Sequence, residues 1–104
     1  MNSGLSELER ANLQQVFARY PQVERVILYG SRARGDFKPG SDLDLTLYGS
    51  QLSQSMLSKI EAEIDDLLLP YKIDLSIFAD IDNENLKLNI QKQGVVFFSR
   101  REDS

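Results

Sequence analysis

With 104 residues, 41% of them apolar, the chain is sized for one compact domain, and it carries a formal charge of −4. It contains neither Cys nor His, which excludes disulfides, thiolate nucleophiles, imidazole acid–base chemistry and most zinc sites. Metal chemistry must therefore use oxygen ligands, which suit Mg²⁺, Mn²⁺ or Ca²⁺, and the net negative charge argues against a long nucleic-acid partner.

The opening Met1-Asn2-Ser3-Gly4 has no basic segment leading into an apolar run, so no secretory signal is expected and a cytoplasmic address is the default. No apolar stretch approaches the ~20 residues that cross a bilayer, so no membrane association is expected. Ser6-Glu7-Leu8-Glu9 fits a capping box, and Leu13, Val16, Phe17 and Tyr20 follow at helical spacing. A first helix is predicted over about 7–19, with Pro21 beyond its end. Val23 to Tyr29 is rich in β-branched and aromatic residues and reads as a strand.

Residues 30–41 contain Gly30, Gly35, Pro39 and Gly40 and read as a loop with room for one helical turn. Three cations (Arg32, Arg34, Lys38) against one anion (Asp36) give this loop a local charge of +2. A small basic loop in an acidic chain suits a small anion such as a phosphate chain. Asp42-Leu43-Asp44-Leu45-Thr46-Leu47 alternates strictly and predicts a half-buried strand. A second helix is predicted over 51–69, with Met56, Ile60, Ile64 and Leu67 on one stripe and Pro70 as its stop. Lys72 to Phe78 alternates again, with Ile73, Leu75 and Ile77 on one face. A third helix follows over about 83–93 with Gly94 as its C′ residue, then a short strand from Val95 to Phe98 whose two phenylalanines point to opposite faces. The polar tail, 99–104, is expected to fray.

This order, α-β-loop-β-α-β-α-β, predicts an α+β fold: a mixed sheet of about four strands packed against helices. The loop between the first two strands is too short for a helical crossover, so those strands should be antiparallel neighbours. Side chains two apart on a strand share a face, about 6.6 Å apart. Asp42 and Asp44 then point together while Leu43, Leu45 and Leu47 enter the core. Asp74 repeats the inversion between Ile73 and Leu75. If the two strands are neighbours in register, three carboxylates converge, and a bound cation removes their mutual repulsion. Two Mg²⁺ ions about 3.5–4 Å apart activate an attacking hydroxyl and steady a leaving pyrophosphate. Gly30 and Ser31, at the end of the first strand, are placed to approach phosphates, with Arg32 and Arg34 neutralising charge. At roughly 5–7% usage per residue type, Gly-Ser-x₁₀-Asp-x-Asp arises by chance about once in a thousand chains of this length. Arg34-Gly35-Asp36 spells an integrin-type tripeptide, a coincidence in a chain without a secretion signal.

The run Gly30-Ser31-x₁₀-Asp42-Leu43-Asp44, with Ile73-Asp74-Leu75 downstream, resembles the DNA polymerase beta-like nucleotidyltransferase superfamily, and in particular its minimal bacterial and archaeal members, over roughly residues 6–98. The resemblance implies that Asp42 and Asp44 are metal ligands, that Asp74 is the third carboxylate and helps to activate an acceptor hydroxyl, and that Gly30 and Ser31 contact the triphosphate of ATP or another NTP. It further implies two Mg²⁺ ions, with Mn²⁺ as a substitute. The implied partner is a HEPN-family toxin, held in a hetero-oligomer and adenylylated on a tyrosine by its antitoxin. Two other functions share these residues: a non-catalytic nucleotide-binding module that neutralises a partner by occlusion, and a small-molecule transferase of the aminoglycoside type.

Overall fold

The computed structural model describes residues 3–100. Its elements are α1 (Glu7–Ala18), β1 (Arg25–Tyr29), a single helical turn α2 (Ser31–Arg34), β2 (Leu43–Tyr48), α3 (Gln54–Asp65), β3 (Ile73–Ile77), a 3₁₀ turn at Phe78–Asp80, α4 (Glu84–Gln93) and β4 (Val95–Ser99). The strands form one mixed sheet in the order β3-β2-β1-β4. β1 pairs antiparallel with both β2 and β4, and β2 pairs parallel with β3. The α+β expectation and the antiparallel first pair are both met. The β2–β3 pair is parallel because α3 carries the chain back across one face before β3 begins.

The face bearing Val26, Leu28, Leu43, Leu45, Leu47, Leu75, Ile77 and Phe97 packs against Leu13, Val16 and Phe17 of α1 and Leu57, Ile60 and Ile64 of α3. α1 starts where its capping box sets it: Glu9 N–H donates to Ser6 Oγ at 3.0 Å, and Ser6 N–H donates to the Glu9 carboxylate at 2.9 Å. α4 lies on the opposite face, where Ile90 and Ile27 are buried. It covers only part of that face, leaving the β2–β3 half open for polar side chains.

Four expectations give way to local geometry. α3 is shorter than predicted at both ends: Ser53 accepts from Met56 N–H and starts it late, and Leu68 turns left-handed (φ 55°) before Pro70 is reached. Gly94 is extended (φ −68°, ψ 151°), so it is no left-handed C′ residue; its N–H still caps Ile90 O at 2.9 Å. Phe97 and Phe98 do not diverge, because a bulge opposite Val26/Ile27 lets both rings approach Phe17, at 6.3 and 6.1 Å. The tail is not polar fringe from its first residue. Ser99 closes β4, and Arg100 donates to the carbonyls of Val23 (3.1 Å), Phe17 (3.2 Å) and Tyr20 (3.0 Å). It thereby satisfies carbonyls around the C-terminal end of α1. The rest of the predicted tail, 101–104, lies outside the described residues.

Candidate functional site

The open face of the sheet carries the inverted carboxylates. β2 sits between β1 and β3, and its Asp44 lies opposite Tyr29 on one side and Asp74 on the other. Neighbouring strands run about 4.8 Å apart, so the Asp44 and Asp74 side chains rise side by side. The alternation explains the choice of face: Leu43, Leu45 and Leu47 are fully buried on the helix side, which turns Asp44 and Thr46 the other way. Asp42 is exposed at the mouth of β2, one residue before the ladder begins.

Burial pushes the Asp44 carboxyl above the usual aspartate range, and the negative charges of Asp74 and Asp42 push it further. Tyr29 is raised by burial as well, and by the charges of Asp44 and Asp74, against a hydrogen bond with Ser76. Ser76 Oγ donates to Thr46 Oγ1 at 2.9 Å, and Thr46 is completely buried. Tyr29, Thr46 and Ser76 thus form a hydroxyl floor beside the acids. Sequence reasoning passed over these three, although Thr46 and Ser76 each lie two residues beyond a site aspartate and share its face.

Gly30 ends β1 at φ 80°, ψ −157°, a region essentially restricted to glycine, and a Cβ there would overlap Asp44 Oδ2. The missing Cβ lets the central carboxylate approach the Gly30 backbone. Gly30 also begins α2: its carbonyl accepts from Ala33 and Arg34 N–H at 3.1 Å each. The N–H groups of Ser31 and Arg32 at the start of this turn have no preceding helical carbonyl to meet. Arg34 is exposed and, among the described residues, makes a surface ion pair with Asp36 at 3.3 Å.

Arg32 has a different place from the expected one. It is 1% exposed, its Nε and Nη2 donate to Ser41 O at 3.1 and 3.0 Å, and its Nη1 donates to Ser3 O at 2.9 Å. Its guanidinium lies 4.7 Å from the ring centres of both Phe37 and Tyr71. A side chain so engaged does not reach out to a triphosphate, so of the two arginines Arg34 alone is presented to solvent. Spacing and charge alone do not distinguish an arginine facing solvent from one folded beneath its own loop.

Among the described residues no three carboxylates are drawn together tightly enough to hold an ion as they stand. The donor chemistry nonetheless fits a hard divalent cation. The ligands are carboxylate oxygens, burial and the charges of Asp74 and Asp42 both disfavour an ionised Asp44, and Gly30 lets that carboxylate lie against the backbone of the loop. A well-formed concavity of about 510 Å³ lies elsewhere. It runs between α3 and the edge of β3, lined by Ile64, Leu68, Tyr71 and Ile73 among others, and includes none of the site residues.

The sequence pattern describing the Polymerase beta nucleotidyltransferase family matches residues 11–103. The chain belongs to this family. No curated protein matches it in sequence. Among solved structures, one from a toxin–antitoxin complex with AMP-PNP is similar at 18% identity and TM-score 0.70, covering 93% of this chain and 76% of that one. Another comes from a complex of a tri-AMPylated Shewanella oneidensis HEPN toxin with an MNT antitoxin, at 14% identity and TM-score 0.66, covering 91% and 73%. A third, from an MntA–HepT toxin–antitoxin complex, matches at 14% identity and TM-score 0.66, covering 90% and 73%. At these identities the likeness establishes the fold, which is that of the polymerase beta-like nucleotidyltransferases. No helix among the described residues is long and apolar enough to cross a membrane.

Proposed function

We propose that this nucleotidyltransferase-family chain is a working enzyme that moves AMP, or another nucleoside monophosphate, from an NTP to a hydroxyl acceptor. The acceptor we propose is a tyrosine of a HEPN-family partner, which the chain neutralises as its antitoxin in a cytoplasmic hetero-oligomer. One observation carries the reading: Asp44 and Asp74 are directly paired across β2 and β3, with Asp42 at the strand mouth and the Gly30 backbone against Asp44.

In this reading Asp42, Asp44 and Asp74 hold Mg²⁺, which when bound supplies Lewis acidity to the triphosphate and lowers the pKa of the attacking hydroxyl. Gly30 and Ser31 let the backbone of the α2 turn approach the phosphates, and Arg34 neutralises charge there. Arg32 is left out of the contact set because its donors are engaged inside the fold. The acceptor oxygen forms a bond to the α-phosphorus, the bond from that phosphorus to the bridging oxygen breaks, and pyrophosphate leaves. The acceptor's proton passes to Asp74, an exposed carboxylate on the edge strand. The AMP-PNP and AMPylated toxin in the similar complexes support the choice of nucleotide and acceptor. The charge of −4 counts against a long nucleic acid as acceptor.

The protein, Mg²⁺ and a candidate HEPN-family partner are incubated separately with α-labelled and γ-labelled ATP. Label on the partner from α-labelled ATP alone is expected. Label from γ-labelled ATP would make the chain a kinase, and inhibition of the partner without any label would make it an occluding module. Label on an aminoglycoside in place of protein would move it to the small-molecule transferases.

A further inference from the structure

Asp44 and Asp42 are held by different means. Asp44 lies inside the ladder, fixed by β1 on one side and β3 on the other. Asp42 precedes β2, and the ladder's first bond at that end is Leu43 N–H to Lys72 O at 2.9 Å. The peptide leading into Asp42 is gripped from elsewhere: both Arg32 Nε and Nη2 donate to Ser41 O. Two parallel N–H groups on one carbonyl fix both the place and the tilt of that peptide.

The grip has an unusual setting. Arg32 is among the largest fully buried side chains, and among the described residues its charge has no carboxylate partner. Burying an unpaired cation is costly. Here the cost is offset by the Ser41 and Ser3 carbonyls and by the faces of Phe37 and Tyr71. The surroundings are built for it. Tyr71's hydroxyl lies 3.0 Å from Gly4 O and 2.8 Å from the Glu9 carboxylate, and a Cβ on Gly4 would overlap Arg32 Nη1. Charge alone would not require this arrangement at the root of an exposed acid.

We infer that Arg32 is a positioning residue for Asp42: its buried fork clamps the Ser41–Asp42 peptide and sets where the Asp42 carboxylate stands at the metal–triphosphate site. The inference rests on the proposed nucleotide reading and adds a division of labour within the loop, Arg34 facing the phosphates and Arg32 holding a ligand.

A double-mutant cycle tests it. Mg·ATP affinity is read from the ligand-induced rise in melting temperature for the wild type, Arg32→Lys, Asp42→Asn and the double variant, with far-UV circular dichroism on each apo protein. Lysine keeps the charge and most of the stem but has no planar fork. If Arg32 acts through Asp42, Arg32→Lys weakens Mg·ATP binding about tenfold alone and less than about twofold in the Asp42→Asn background, a coupling of the size seen for residues in contact. Equal losses in both backgrounds would make Arg32 a general brace and overturn the inference. Should Arg32→Lys not fold, Gly4→Ala displaces the fork without removing it and must show the same coupling to Asp42. A wild type with no Mg·ATP shift would overturn the nucleotide reading and this inference together, whereas a normal shift with additive losses overturns this inference alone.

Discussion

Replacing Asp44 by Asn should stabilise the free protein while abolishing its response to Mg·ATP. Strands about 4.8 Å apart place two aspartate charges close enough to repel by about 0.9 kcal/mol at water-like screening and about 3.5 kcal/mol at an effective dielectric of 20. Asp74 is exposed, and Asp42, the second contributor, is exposed too, so the lower end applies, about 1 kcal/mol. For a domain near 100 residues this is worth about 4–8 °C in melting temperature. The pH dependence has a definite sign. Because the folded state raises the Asp44 pKa above its ordinary 3.8, the penalty is fully present above that raised value and fades as pH falls through it towards 3.8. Differential scanning calorimetry at pH 7 and in steps down to pH 3.5 should show Asp44→Asn melting higher than wild type, with the gap closing in acid. Adding Mg·ATP at pH 7 should reverse the order, since only the wild type gains from ligand. A variant that melts lower at pH 7, or a gap unchanged by acid, would refute the claim that burial and like charge together penalise the ionised Asp44.

The remaining predictions concern the loop. Gly30→Ala should cost about 1–3 kcal/mol from its glycine-only backbone angles and should also remove the Mg·ATP shift, because the new Cβ meets Asp44; thermal melts with and without ligand report both effects. Arg34→Ala should leave stability within about 0.5 kcal/mol but weaken nucleotide binding roughly tenfold, the scale of one charge-assisted hydrogen bond, as measured by isothermal titration calorimetry. Unchanged affinity would return Arg34 to the role of a surface partner of Asp36.

Much of the fold was legible because its signals are local and periodic. The Ser6 capping box, the alternation through Asp42–Leu47 and the Ile73-Asp74-Leu75 inversion each determine an element and its buried face without reference to the rest of the chain. The Asp44–Asp74 juxtaposition followed once β2 and β3 were taken as neighbours. What escaped depends on contacts between distant residues. Arg32 is drawn inward by the Ser3 carbonyl and the Tyr71 ring, and no window around the loop contains either. Phe97 and Phe98 share a side because of a bulge set by pairing with β1. Beyond the end of α3, Leu68 adopts a left-handed conformation that apolar periodicity, still running to Leu69, gives no hint of. Tyr29, Thr46 and Ser76 were visible in the alternation but are noticed only once the sheet shows that they adjoin the acids.

The central claim is that the third carboxylate performs transfer and does not merely assist binding, and Asp74→Asn isolates it. Asparagine keeps the shape and hydrogen-bonding capacity of the side chain and removes its charge. Binding of Mg·ATP and transfer of α-label to the HEPN-family partner are measured on the same preparation. The account predicts binding within a few-fold of wild type and transfer reduced by roughly 10²–10⁴, the usual contribution of a positioned proton acceptor, with the loss falling on turnover. Transfer that persists at the wild-type rate, or falls only in step with binding, would contradict it.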